Sequence, residues 1–326
     1  MLKKYLIYLT LSLVISLGIN RLYEKTARPD ALFFASCLEA SRNWAEQLRK
    51  TNEPCYIFAG GSEVRMTIEP ETMLREHNVR AINAAGQAGN GARCNAQISL
   101  PFLHSGDTLI FSFIPGIPSG MSSGGISFCY SQQGPKALYE GVLPINQHTL
   151  SSWIMGDAQN YCIHLMRILT RPDCIFRYSS EQNARISKSG RVEVFLHKVP
   201  SQTTLGKNIS DYLDEESVAI WSELMRDLQN YCKKKNVHLV VNLTRAGAHP
   251  DIRRLNAKWA LFFIKCGLKV IKDPSLGAHP YTEDYSDTLQ HMSIEGGRRY
   301  SSFLAGQLKK EQFWTEEELL QILETL

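Results

Sequence analysis

Short apolar runs alternate with longer amphipathic stretches along most of the chain. Residues 55–59 form a compact apolar run that ends in Gly60-Gly61. A second run, 79–84, ends close to Gly86, and a third, 108–114, is stopped by Pro115-Gly116. Runs 237–243 and 268–271 follow later. Their length and apolar continuity predict strands buried on both faces. Between them the period lengthens to that of a helix. In 215–235, Val218, Trp221, Leu224, Met225, Leu228, Tyr231 and Cys232 fall on one face. Segments 251–266 and 296–308 are predicted helices too, and another helix opens near Pro70. Segment 315–326 is a short helix opened by a capping box of Thr315 and Glu318. Strands alternating with helices imply βαβ units, and hence an α/β fold: a three-layer α/β/α sandwich around a mainly parallel sheet.

Two stretches break this rhythm. The first spans about 117–210. It holds a Gly/Ser loop at 119–125, a helical stretch at 151–171 and a polar stretch at 173–202 with one strand-like piece, 192–199. We read it as an insertion that covers or shapes a site. The second is the N-terminus. Lys3 and Lys4 precede an uncharged run, 5–20, rich in Leu, Ile and Val, which Arg21 and Glu24 close. A basic start before a short apolar run is the pattern of a secretory signal or a signal-anchor. The run is shorter than the roughly 20 residues that span a bilayer comfortably. Ser16 and Gly18, however, make a poor cleavage pair. We therefore place an uncleaved anchor ahead of a cleaved signal at 1–24, with a single domain, 25–326, outside the cytoplasm. Phe34-Ala35-Ser36-Cys37 is similar to a lipoprotein cleavage site, but it lies too far beyond the apolar run to act as one.

Composition narrows the class. At 326 residues, 44 % hydrophobic and 21 % charged, the chain is neither a disordered tail, a collagen-like fibre nor a multi-span membrane protein. A net charge of +4 with no basic stripe excludes nucleic acid as an expected partner. The eight cysteines (37, 55, 94, 129, 162, 174, 232 and 266) are widely spaced and form no CxxC, which argues against a zinc site. Outside the cytoplasm they permit disulfides. Cys55, Cys232 and Cys266 sit in apolar contexts, where reduced core cysteines are the alternative, and no pairing is assigned.

Three segments carry candidate chemistry. In Phe58-Ala59-Gly60-Gly61-Ser62-Glu63-Val64-Arg65 a buried strand runs into Gly-Gly-Ser. That places Ser62 at the carboxyl edge of a parallel sheet, where α/β proteins bind ligands. A short helical turn after Ser62 would aim free N–H groups at an oxyanion. A plain turn with Ser62 as a cap is the alternative. Glu63 and Arg65 read as a local surface ion pair. Asn83-Ala84-Ala85-Gly86-Gln87-Ala88-Gly89-Asn90-Gly91 is a glycine-rich turn after the second strand. It is not GxGxxG, so it does not indicate a dinucleotide. Its N–H groups face the same edge, as a second oxyanion donor or as a packing turn. The third segment, Asp284 to Gly297, sets Asp287 four residues ahead of His291, just before a helix. A loop histidine there can reach a nucleophile while a carboxylate fixes its tautomer. Seven of the other histidines, at 104, 148, 164, 197, 238, 249 and 279, show no metal-ligand spacing. Arg245 and His249 follow the fourth strand. They read as a solvated loop or as a site for an anionic substrate.

The order of these segments (serine early, glycine-rich turn next, acid and histidine late) resembles the SGNH (GDSL-like) hydrolase superfamily. Gly60-Gly61-Ser62 with Ile68-Glu69-Pro70 is similar to the opening of its membrane-anchored branch. That branch contains the D-alanine-transfer protein of teichoic acid modification and the alginate O-acetylation proteins. Asn83 to Gly89 matches their Asn-x-Gly-x-x-Gly turn, and Asp287 to Gly296 the late Asp/His block. The resemblance covers about 50–115 and 235–308.

It implies Ser62 as nucleophile, His291 as general base and Asp287 as orienting acid. The N–H groups of Ser62 and Gly89 would form the oxyanion hole. No cofactor and no metal is implied. The expected function is an extracytoplasmic serine esterase or O-acyltransferase acting on an acylated cell-surface glycan or a small ester. The membrane would be met through the N-terminal segment, and an envelope protein is a candidate partner. Three departures stand out. No Asn follows the third strand at 111–116, so Asn90 is the candidate substitute. Three residues rather than two separate the acid from the histidine. Asp284 is a rival acid. A non-catalytic envelope protein binding glycan or a partner in the same cleft is the alternative.

Overall fold

The structure is a computed structural model. It describes residues 29–113, 123–143, 184–194, 215–247, 250–279, 282–285 and 291–326, with scattered positions among the first fourteen. The expected helix at 151–171 and the Pro115-Gly116 stop lie outside the described residues, as do His148, His164, His197, His249, Cys162, Cys174 and Asp287. Most of the N-terminal segment lies outside them as well. Among the described residues no helix is long and apolar enough to cross a membrane.

The architecture is α/β. A parallel sheet contains β1 (Tyr56–Ala59), β2 (Ala81–Asn83), β3 (Thr108–Phe113), β6 (His238–Leu243) and β8 (Lys269–Val270). Their lateral order is β2-β1-β3-β6-β8, with every pairing parallel. Each strand lies inside a run that apolar continuity predicted, trimmed by one or more residues at its ends. Two short pairs stand apart: the antiparallel hairpin β4 (Ala184–Ile186) and β5 (Val192–Val194), and the parallel pair β7 (Ala246–Gly247) and β9 (Ala278–His279).

Alternation along the strands feeds two cores. Ile57, Ala59, Leu109, Phe111, Val241 and Leu243 point to one face. They pack under α1 (Pro29–Arg49), α4 (Ala92–Ser99), α5 (Ser123–Gln133), α6 (Glu215–Lys235) and α7 (Pro250–Lys265). Phe58, Ile110 and Val240 point to the other. There they meet α2 (Ser62–Thr67), α3 (Pro70–His77) and α8 (Ile294–Lys309). The period of two in a strand thus yields the three layers. The face of α6 expected from its period is the one buried: Trp221, Leu224, Met225, Leu228 and Cys232. Trp221 stands edge-on to Phe111 and to Trp259, with ring centroids 6.0 and 6.1 Å apart. The chain ends in α9 (Glu316–Thr325), opened by the expected Thr315/Glu318 capping box.

The structure departs from the sequence expectations in two places. Helix α1 has no counterpart among the predicted elements. Its Phe34, Cys37 and Leu38 are buried, so Cys37 is a core residue of a helix. The expected Gly/Ser loop at 119–125 is helical from Ser123 on. Gly125 explains why: a Cβ there would lie 2.3 Å from the Asn90 carbonyl oxygen, so the glycine serves a helix seated directly on backbone. The strand-like piece at 192–199 is a strand over Val192–Val194, and its remainder lies outside the described residues.

Candidate active site

Read in chain order, the sheet strands run 2-1-3-4-5 across the sheet. The order reverses between β1 and β3, and the carboxyl end of that crevice is where open α/β sheets bind ligands. Ser62 stands there, three residues past the end of β1 and as the first residue of α2. The helix begins at once because Gly60 has no side chain. A Cβ on it would meet Val64 Cγ2 at 2.4 Å. Gly61 is the N-cap, in an extended conformation.

The turn after β2 is tied to the same strand end. The Ala84 amide donates to the Phe58 carbonyl and the Gly86 amide to the Gly60 carbonyl, both at 2.9 Å. The buried Asn83 side chain donates to the carbonyls of Val64, Arg65 and Ile68 at 3.2, 3.3 and 2.9 Å. It thereby caps the C-terminal end of α2 and sets the helix against the glycine-rich turn. Residues Ala88–Asn90 form one 3-10 turn, in which Gly89 is exposed. Only Gln87 Nε2, at 3.9 Å, lies near its Cβ position, so space is open on that side.

His291 arrives from the far end of the chain on a loop with a pinned base. Tyr285 and Met292 form an antiparallel bridge, and the Ser293 amide donates to the Asp284 carbonyl at 2.7 Å. Ser293 then caps α8 by accepting from the Gly296 amide at 3.1 Å. His291 Nε2 lies 3.0 Å from Ser62 Oγ, within hydrogen-bond distance.

Several sequence expectations need correction. Glu63 and Arg65 are not a surface ion pair, because both are buried. The Glu63 carboxylate folds back to accept from the Gly61 amide at 2.8 Å. Burial pushes its carboxyl up, against the Gly61 and Glu63 amides and the nearby His291, which pull it down. Arg65 turns the other way. It donates to Ser41 Oγ and to the carbonyls of Asn83 and Gly190 at 2.9, 2.9 and 3.0 Å, and also to the Ala85 carbonyl. Burial lowers its pKa to about 10.

Arg245 does not stand free for an anionic substrate. Its Nε pairs with Asp273 at 2.8 Å, and its guanidinium lies over Tyr300 and Phe303, 4.6 and 4.8 Å from the ring centres. Asp284 does not stand free as a rival acid either, since its carboxylate meets His279 and Arg299. Asn90 is buried, and its amide donates to Asn95 Oδ1 at 3.4 Å.

Two residues of the site region carry no local sequence signal. Glu63 sits in what reads as a polar turn. Arg191 lies in the polar insertion, and neither periodicity nor spacing points to it. The six described cysteines are free thiols, all buried except the partly exposed Cys266. Among the described residues no group of three or more His, Cys, Asp or Glu is placed to hold a metal ion. No protein-family model, no curated protein and no solved structure matches the chain.

Proposed function

We propose that this protein is an SGNH-type serine esterase or O-acyltransferase. In this reading it works outside the cytoplasm, held at the membrane by its N-terminal segment, on acyl esters of a cell-surface glycan or a related polymer. One observation carries the reading: Ser62 and His291, far apart in sequence, meet at 3.0 Å on the carboxyl edge of the sheet. The glycine-rich turn supports it, because the Gly86 amide ties that turn to the Gly60 carbonyl, two residues before Ser62.

The chemistry follows from that contact. Ser62 Oγ donates its proton to His291 Nε2 as the oxygen attacks the ester carbonyl carbon. The tetrahedral oxyanion is held by the N–H groups of Ser62 and Gly89, each such donor contributing roughly 3–4 kcal/mol in enzymes where it has been measured. Collapse breaks the bond to the alcohol oxygen, which leaves with the proton from His291. Water or a sugar hydroxyl then attacks the acyl-serine, with His291 taking its proton and returning it to Ser62. Asp287 takes the role of orienting acid, on the strength of the motif. A local device of this kind needs no cofactor.

A fluorophosphonate probe and p-nitrophenyl acetate test the reading. Wild type is expected to be labelled at Ser62 and to hydrolyse the ester, and Ser62→Ala to do neither. A folded wild-type protein that is neither labelled nor active overturns it.

A further inference from the structure

The insertion contributes more than cover. Its hairpin, β4 and β5, turns at 187–191, where the Ser187 amide donates to the Arg191 carbonyl at 2.9 Å and Gly190 takes a φ of +84°. That turn is driven into the protein, and Ser189 and Arg191 are both fully buried. Ser41 Oγ donates to the Ser189 carbonyl at 3.3 Å, and Arg65 to the Gly190 carbonyl. The Ser189 amide and hydroxyl both donate to the Glu71 carboxylate.

Arg191 completes the arrangement. Its Nε donates to the Met66 carbonyl at 2.8 Å, on the last turn of α2. Its Nη1 pairs with Glu69 at 3.2 Å. Its Nη2 donates to the carbonyls of Ser293 and Ile294 at 3.1 and 3.2 Å. One planar guanidinium therefore joins the helix that opens with Ser62 to the segment that leaves His291. Gly297 makes room for it, since a Cβ there would lie 2.3 Å from Nη2 and 2.8 Å from the Thr67 carbonyl oxygen. Met66 lies one helical turn from Ser62, and Ser293 lies two residues from His291. The four partners of the guanidinium are backbone carbonyls and a carboxylate of the residues that flank the dyad.

We infer that Arg191 is a positioning residue: it sets the distance between Ser62 and His291 by clamping α2 to the base of the histidine loop. The inference deepens the esterase reading and rests on it. The geometry demands an arginine in particular. A lysine ammonium is a point charge on a flexible stem and cannot serve the two separate pairs of acceptors that a rigid fork reaches. Small displacements of a reacting pair cost rate far more than binding.

The test uses the full chain with Arg191→Met, Arg191→Lys and wild type. Melting curves and circular dichroism establish folding. Kinetics on p-nitrophenyl acetate then separate kcat from KM, and fluorophosphonate labelling gives the rate at Ser62. Folded Arg191→Met is expected to lose about 10- to 100-fold in kcat and in labelling rate, with KM changed less than threefold. Folded Arg191→Lys is expected to recover only part of that loss. A folded Arg191→Met with kcat and labelling within twofold of wild type overturns the inference. Where Arg191→Met does not fold, Arg191→Lys decides by the same measure.

An inactive, unlabelled wild type is a failure of the esterase reading, and the positioning claim is then decided by nitrogen shifts in 15N-histidine-labelled protein. Loss of the Ser62–His291 hydrogen bond in Arg191→Lys sustains the claim. An unchanged His291 signal ends it.

Discussion

Ser62 Oγ and His291 Nε2 stand 3.0 Å apart although 229 positions separate the two residues. Ser62 is the first residue of α2, and the missing side chain of Gly60 lets that helix pack close to the end of β1, where a Cβ would meet Val64 Cγ2 at 2.4 Å. His291 is fixed by the bridge between Tyr285 and Met292 and by the capped start of α8. Both positions are held by backbone, which is the condition for a nucleophile and a base that must meet repeatedly in one geometry.

His291→Gln removes the base and keeps a polar side chain of similar length. Esterase kcat is expected to fall by roughly 10²- to 10⁴-fold, the usual contribution of a positioned base. The melting temperature should stay close to that of wild type, because the imidazole is only partly buried. Steady-state kinetics beside a melting curve separate the two effects. A variant that keeps more than half of wild-type kcat would remove His291 from the mechanism.

Arg65→Met tests the buried guanidinium that joins α1, the turn after β2 and the insertion hairpin. The substitution relieves the desolvation of a buried charge. It also strips a donor from Ser41 Oγ and from the carbonyls of Asn83, Ala85 and Gly190. Unmet buried acceptors cost about 1–3 kcal/mol each, so their loss outweighs the relief. A net destabilisation of about 2–4 kcal/mol is expected. It should appear as a lower urea midpoint at unchanged m-value. A midpoint equal to wild type would show that the carbonyls find other donors.

His279 gives the fold a predictable weakness in acid. Its Nε2 meets the Asp284 carboxylate, and Arg245 Nη1 approaches Nδ1 at 3.5 Å. An arginine only donates, so Nδ1 carries the lone pair and the ring is neutral. Burial first, and then the charge of Arg245, push its pKa down to about 4. Arg299 acts in the same sense, and Asp273 and Glu283 oppose it. A histidine in the unfolded chain binds its proton near pH 6.5. Between about pH 6.5 and 4 the unfolded state therefore holds a proton that the folded state lacks, and stability falls as pH drops through that window. The slope reaches at most about 1.4 kcal/mol per pH unit for this one group. Urea midpoints at pH 7.5, 6.0 and 5.0 should converge between wild type and His279→Gln toward the acid end. Parallel lines would show that His279 does not control this window.

Apolar runs, helical periodicity and a capping box together determined the five sheet strands, the buried face of α6, the capped terminal helix and the three-layer α/β architecture. These depend on side-chain spacing, and spacing is written in the sequence. The positions of Ser62 and His291 were legible for a related reason. A serine just past a buried strand and a histidine just ahead of a capped helix both fall at element ends, and local signals mark such ends.

Only the tertiary structure decided which polar residues are buried and what they hold. Glu63 and Arg65 read as a surface ion pair and Arg191 carried no signal, because burial of a polar side chain depends on partners distant in sequence. Arg65 finds carbonyls at 83, 85 and 190, and Arg191 finds them at 66, 293 and 294. No local pattern encodes such partners: a carbonyl exists at every position, and only the folded chain chooses which of them a guanidinium reaches.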